Sequence, residues 1–248
     1  MSFSISLGNW LYRRCFPVYN VAYPWFKRRK DRWELELLRE RIRPGDRVLD
    51  IGSNIGFYAG VLAPLVGPEG KVYCFEPDRT NFGHLSRNTA SRRNTVLFNQ
   101  AVSDREGTLK VYKSGMLNVD HRTYPVDDFE SVEEVAATSI DALVARGAVD
   151  RVDFVKIDIQ GFELRAFQGM RGLLAGERRI AILSEYWPHG LKQAGTAPTD
   201  LHDLFEGLRY RFRLLEDGSL RDIGREFFAD TADRPFEVYF NVLIERRE

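Results

Sequence analysis

Apolar positions along the chain gather into short runs that alternate with helix-like spacings. The first run, Val48-Leu49 and Ile51, follows the turn Pro44-Gly45-Asp46 and ends at Gly52-Ser53-Asn54-Ile55-Gly56, where a helical pattern begins. Residues 47–58 therefore read as strand, tight turn and helix. Lys71–Phe75 reads as a second strand closing on Glu76, which Pro77 isolates from a helix over 79–93, and Thr95–Phe98 as a third strand leading into Asn99-Gln100-Ala101-Val102. Gly107–Tyr112 reads as a short extra strand. Residues 113–134, with Gly115, Asn118, His121 and Pro125, read as a long irregular loop of the kind that forms lids or substrate surfaces. A fourth strand, Val152–Asp158, runs into Ile159-Gln160-Gly161-Phe162-Glu163 and a helix, and a fifth, Arg179–Ser184, ends at Glu185-Tyr186-Trp187-Pro188-His189-Gly190. Strand and helix alternating through short connections imply an α/β fold with parallel pairing and right-handed crossovers. Tyr210–Leu215 and Phe236–Ile244 read as an antiparallel closing pair without a helix between them.

The N-terminal segment breaks this pattern. Trp10, Tyr12, Phe16, Tyr19, Tyr23, Trp25 and Phe26 interleave with Arg13, Arg14, Lys27, Arg28, Arg29 and Lys30, and Pro17 and Pro24 argue against one long amphipathic helix. Two readings stay open: an arm packed across the domain, or a peripheral contact of residues 10–30 with an anionic membrane or a partner. Trp33, Leu35, Leu37 and Leu38 suit a helix leading into the first strand. The expected division is an arm and helix over 1–43 and one domain over 44–248.

Charge adds a restriction. The 248 residues carry 36 basic and 36 acidic side chains, but the arm is basic and the remainder acidic, which disfavours a nucleic-acid partner for the catalytic part. Only Cys15 and Cys74 are present, so no disulfide framework is expected. No apolar run matches a bilayer span, and a cytoplasmic location is the default.

The turn after the first strand offers helix-opening N–H groups to a negatively charged ligand group. Glu76, at the end of the next strand, suits a carboxylate gripping ribose hydroxyls. Dinucleotide sites want G-x-G-x-x-G, whereas here Asp50-x-Gly52-x-Asn54-x-Gly56 puts Asn54 where a middle glycine would stand. Ser53 and Pro77 flank the two contact points, and Ala101 and Val102 could lie against an adenine face.

Three blocks together resemble the FkbM family of S-adenosyl-L-methionine (SAM) dependent methyltransferases: Asp50-Ile51-Gly52-Ser53-Asn54-Ile55-Gly56, Phe75-Glu76-Pro77, and Asp153-Phe154-Val155-Lys156-Ile157-Asp158-Ile159-Gln160-Gly161-Phe162-Glu163. The third is the most specific. The resemblance implies a Rossmann-like class I methyltransferase fold: a mostly parallel seven-stranded sheet with an antiparallel C-terminal strand and helices on both faces. It implies SAM as cofactor and O-methylation of a sugar, glycolipid or secondary metabolite, with a hydroxyl-bearing acceptor.

Asp158 and Glu185, at neighbouring strand ends, would then project near the methyl group, with Asp158 the candidate to accept the hydroxyl proton or orient the acceptor and His189 a rival base. Lys156 shares a strand face with Asp158 and needs a carboxylate partner, Asp158, Glu163 or Glu185. It also stands where a metal would sit, so no metal is expected. Tyr112, His121, Tyr124, Tyr186 and Trp187 are candidates to stack on sugar rings. Two alternatives remain, a non-catalytic SAM-binding or partner-binding module and a ribose methyltransferase acting on nucleic acid.

Overall fold

The computed structural model describes residues 3–113, 122 and 129–247, with side chains from residue 8 onward. In chain order come helices α1 (Phe3–Arg14), α2 (Phe16–Lys30) and α3 (Arg32–Arg41), then β1 (Arg47–Ile51), α4 (Phe57–Val66), β2 (Lys71–Phe75), α5 (Arg79–Thr89) and β3 (Thr95–Phe98). A small insert follows, made of β4 (Ala101–Val102), β5 (Gly107–Lys113) and β6 (Ser131–Thr138), and after it α6 (Ile140–Ala145), β7 (Phe154–Ile157), α7 (Glu163–Gln168), α8 (Arg171–Ala175) and β8 (Ala181–Tyr186). The chain closes with α9 (Pro188–Gln193), α10 (Pro198–Gly207), β9 (Tyr210–Glu216), β10 (Ser219–Ile223), α11 (Arg225–Asp230) and β11 (Phe240–Arg246).

Eight strands form the main sheet in the order β10-β9-β11-β8-β7-β1-β2-β3. Strands β3, β2, β1, β7 and β8 run parallel, and β11 enters antiparallel between β8 and β9. The expected count of seven is exceeded because Asp217-Gly218 turns the chain back and Ser219–Ile223 pairs with β9 as an edge hairpin. The closing pair is antiparallel as expected, although α11 stands between its members.

Side chains on β1 alternate between the two faces. Leu49 and Ile51 enter the larger core with Val155, Phe167 and Phe205, while Val48 enters the core beneath α3 and α4 with Leu38, Leu62 and Val72. Each such aliphatic burial contributes about 1.5–3 kcal/mol. Val48 and Leu49 are both fully buried, as expected for a strand covered on both faces. From β1 the chain winds outward through β2 and β3, then returns to β7 on the other side of β1. The carboxyl ends of β1 and β7 therefore flank the point where winding reverses, the usual place for a ligand crevice in such sheets.

Two expectations are corrected here. Ser131–Thr138 is a strand pairing antiparallel with β5, so the loop assigned to 113–134 ends earlier; Val135 and Ala137, buried two apart on either side of exposed Ala136, mark its inward face. Gly115, Asn118, His121, Tyr124 and Pro125 lie outside the described residues. In the arm, Pro17 sits in the first turn of α2, where its missing N–H costs nothing, but Pro24 is inside the helix, which continues through it. Tertiary contacts compensate. Tyr19 is buried, Asn20 and Asn88 exchange amide hydrogen bonds at 3.0 and 2.9 Å, and Tyr12 donates to Asn81 at 2.6 Å.

Candidate active site

At the carboxyl end of β1 the chain turns sharply because two neighbours leave no room. Gly52 adopts φ +83°, and a Cβ there would lie 2.0 Å from the carbonyl oxygen of Asp158. Asn54 stands at φ 50°, the left-handed region that asparagine tolerates better than most residues, which accounts for its taking a glycine's place. Gly56 caps α4, and Ser53 Oγ donates to the Asp50 carbonyl at 2.7 Å.

Glu76 points into this turn. Its Oε2 accepts from the Asn54 N–H at 2.8 Å, and its Oε1 accepts from the Asp78 N–H at 2.9 Å. Burial pushes its carboxyl up to about 8, and the neighbouring Asp78 charge adds to that against the backbone donors. Asn99 fixes the strand end by donating to the carbonyls of Glu76 and Pro77 at 2.8 and 3.0 Å. A cavity of about 240 Å³ opens between these pieces, lined by Gly52, Ser53, Asn54, Glu76, Pro77, Ala101 and Val102. The lining fits SAM: a glycine turn, a buried carboxyl group aimed at it, and small or apolar side chains beside them, although the turn's own N–H groups, expected to face the ligand, are taken up by Phe75, Glu76, Asn54 and Ser53. Asp50 does not line the cavity. Its carboxyl group is fully buried, and burial pushes its pKa up although Lys156, its neighbour across the strands, and then Ser53 oppose the shift.

The same cavity continues to Lys156, Asp158, Ile159, Gln160, Phe162 and Glu185. Lys156 Nζ lies 3.7 Å from Asp158 Oδ2 and 4.4 Å from the Tyr58 ring centroid, so of the three expected partners Asp158 is the one it pairs with. Gln160 bridges the two acids, donating through Nε2 to Asp158 Oδ1 at 2.9 Å and to Glu185 Oε1 at 3.2 Å. It does so from a left-handed backbone at φ 58°, and the next residue, Gly161, is required because a Cβ there would fall 2.3 Å from the backbone of Gly190. Glu163 is buried outside the cavity and accepts from the N–H groups of Ile159 and Gly161 at 3.0 and 3.3 Å, holding the bridge in place.

The two cavity carboxylates are driven apart. Burial opposes the charge of Asp158, but Lys156, then Lys27, with the Gln160 amide, outweigh it and hold the carboxyl below its ordinary range. Glu185 is pushed up to about 8, by burial first and by the Asp158 charge second. One acid is thus ionised at neutral pH while the other is poised to exchange a proton.

The arm supplies a wall that the sequence reading did not assign to the site. Tyr23, Phe26, Lys27 and Lys30, all from α2, line the cavity. Lys27 Nζ is 2.5 Å from Asp31 Oδ2, which also accepts from the Tyr58 hydroxyl at 2.7 Å. The signal available was the i, i+4 succession Tyr19, Tyr23, Lys27, Asp31.

Several candidates stand elsewhere. His189 does not line the cavity; it packs against Trp187 and Phe236, each 5.6 Å away between centroids, which leaves it far from a base's position. Tyr186 is fully buried, its hydroxyl 2.9 Å from Thr231 and its ring against Phe228, so it cannot stack on a sugar. Trp187 is buried too and donates to the Phe236 carbonyl at 2.8 Å, and Tyr112 packs edge-on against Phe129. No group of three or more His, Cys, Asp or Glu side chains able to hold a metal occurs among the described residues.

The model of the methyltransferase FkbM domain matches residues 50–212. The hexuronic acid methyltransferase AglP of Haloferax volcanii is 29% identical over 175 residues, covering 69% of this chain and 70% of that protein. The 2-O-methyltransferase NoeI of Sinorhizobium fredii is 26% identical over 153 residues, covering 56% of this chain and 63% of NoeI. A SAM-dependent O-methyltransferase from Thermotoga maritima superposes with a TM-score of 0.47 at 15% identity over 89% of this chain and 66% of that one. With the glycine turn, the aimed Glu76 and the Lys-Ile-Asp-Ile-Gln-Gly segment all inside the matched span, the chain belongs to the FkbM family of SAM-dependent methyltransferases.

Proposed function

We propose that the chain transfers a methyl group from SAM to a hydroxyl of a sugar or sugar-bearing acceptor. The observation that carries this reading is the Gln160-bridged pair of carboxylates with opposite shifts, Asp158 and Glu185, sharing one cavity with the cofactor residues. When bound, SAM supplies an electrophilic methyl group. The chain's own task is then to hold the acceptor oxygen in line and remove its proton. Glu185, with a pKa near working pH, takes the proton; Asp158, ionised and tied to Lys156, orients the hydroxyl. Gly52, Ser53, Asn54, Glu76, Pro77, Ala101 and Val102 line the cofactor side, while Asp50, whose carbonyl accepts from Ser53, and Gly56, which caps α4, shape the turn from behind. The relatives named for hexuronic acid and 2-O methylation support a carbohydrate acceptor.

The test is incubation with SAM and a panel of neutral and uronate-bearing glycosides, followed by mass spectrometry and mild alkali. A methyl ether survives alkali and supports the reading. An alkali-labile methyl ester would instead mark a carboxylate acceptor, which needs no base and which Lys27 and Lys30 in the cavity would favour.

A further inference from the structure

Helix α2 is apolar on two faces. Its inner face, Tyr19, Tyr23, Phe26, Lys27 and Lys30, packs on the domain and walls the cavity. Its outer face carries Val18, Val21, Ala22 and Trp25, spaced i, i+3, i+4 and i+7, with Val18 50%, Val21 77% and Trp25 70% exposed. Arg29 stands one turn after this strip with Arg28 alongside, and Arg14 ends α1 just before α2 begins. All three are exposed, and no acidic residue occurs in α1 or α2. Trp10 on α1 is also 57% exposed.

We propose that this outer face docks the protein on an anionic phospholipid bilayer. An apolar strip bearing tryptophan and flanked by arginines matches a headgroup boundary: Val and Trp enter the acyl edge while the guanidinium groups meet lipid phosphates. The helix lies on the surface and does not cross it; no helix among the described residues is long and apolar enough to span a membrane. Phe26, 53% exposed, also lines the cavity, so the docking face runs directly into the cavity rim. Docking therefore sets that rim at the interface, where acceptors carried on a lipid anchor are presented. This last step rests on the methyl-transfer reading above, whereas the docking itself does not.

The experiment is flotation of the full chain with phosphatidylcholine vesicles, with and without phosphatidylglycerol. The wild-type chain is expected to float with the anionic vesicles and to remain below with the neutral ones. Val21→Glu combined with Trp25→Glu should lower partitioning at least about 10-fold. Replacing Arg14, Arg28 and Arg29 by Gln should lower it by about 100-fold. None of these five side chains lines the cavity, so SAM affinity by calorimetry should be unchanged and reports that the fold is intact. Absence of flotation, equal flotation on neutral vesicles, or variants that float like wild type would each overturn the proposal. So would a wild-type dimer in sedimentation that the Glu variant dissociates without any vesicle binding, since the face would then belong to a second copy. Vesicle binding without methyl transfer to any glycan would leave docking standing and defeat the functional reading instead.

Discussion

The two ends of the cavity are built by different means. On the cofactor side the backbone does most of the shaping: one turn after β1, one carboxylate after β2, and N–H groups that meet it at 2.8 and 2.9 Å. At the other end, proposed above for the acceptor, side chains decide, through a polar network of Lys156, Asp158, Gln160 and Glu185 drawn from β7, its following loop and β8, and closed by Lys27 and Lys30 from α2. A site fixed by backbone tolerates few substitutions but needs few residues. A site fixed by side-chain charge can be retuned one residue at a time, which is where acceptor choice can vary while the cofactor stays the same.

That contrast predicts different failures. Glu185→Gln keeps the bridge to Gln160 in shape but removes the proposed proton acceptor, and kcat should fall by about 10²–10⁴-fold with SAM affinity unchanged. In the unmodified enzyme kcat should rise with pH until Glu185 is ionised near 8 and level off above it. Equal turnover of the variant in a coupled S-adenosylhomocysteine assay would remove Glu185 from the base's role. On the cofactor side Gly52→Ala should damage the fold itself. The left-handed φ costs a non-glycine residue about 1–2 kcal/mol and the clash with the Asp158 carbonyl about 1–3 kcal/mol more, read as a loss in urea unfolding. Gly60→Ala, in α4 with nothing within 4 Å of the new Cβ, is the control and should stabilise slightly.

Glu76→Ala lies between these extremes. It leaves the N–H groups of Asn54 and Asp78 without their acceptor and removes the carboxylate aimed at the turn, so SAM binding should weaken by about 1.5–3 kcal/mol in calorimetry. A change under twofold would detach Glu76 from the cofactor and with it the contrast between the two ends.

Legibility in the sequence followed the same division. The β1 turn, Glu76 and the Lys156–Glu163 segment are each contiguous, so their spacing alone placed them on strand ends, and five parallel strands were read at nearly their observed limits. What was missed depends on contacts between distant segments. Nothing local says that Tyr23 and Lys27 meet Asp158, since a helix over 16–30 folds onto strand ends more than a hundred residues later. Pro24 argued against that helix and was outweighed by packing. His189 looked like a rival base because an imidazole side chain ordinarily titrates near working pH, but α9 turns it toward Phe236. Tyr186 alternates with Glu185, and the strand pleat that sends one side chain to the cavity sends the other into the core.

The smallest expected effect concerns stability and separates Glu163, buried outside the cavity, from the acids that line it. Glu163 is pushed up to about 7 and Glu76 to about 8, both chiefly by burial. Groups with raised folded pKa bind more protons folded than unfolded between their ordinary value of 4.5 and the shifted one, so their contribution is fully present at low pH and is lost as pH climbs through that window. Cofactor-free protein should therefore become less stable from pH 4.5 toward 8, by at most about 1.4 kcal/mol per pH unit for each such group. Glu163→Gln keeps a carbonyl acceptor for the N–H groups of Ile159 and Gly161 while deleting the titration. The slope of melting temperature against pH should flatten below 7 in this variant and persist above it, where Glu76 and Glu185 still titrate. An unchanged slope would mean that Glu163 is ionised in the folded protein and that its two N–H donors outweigh its burial.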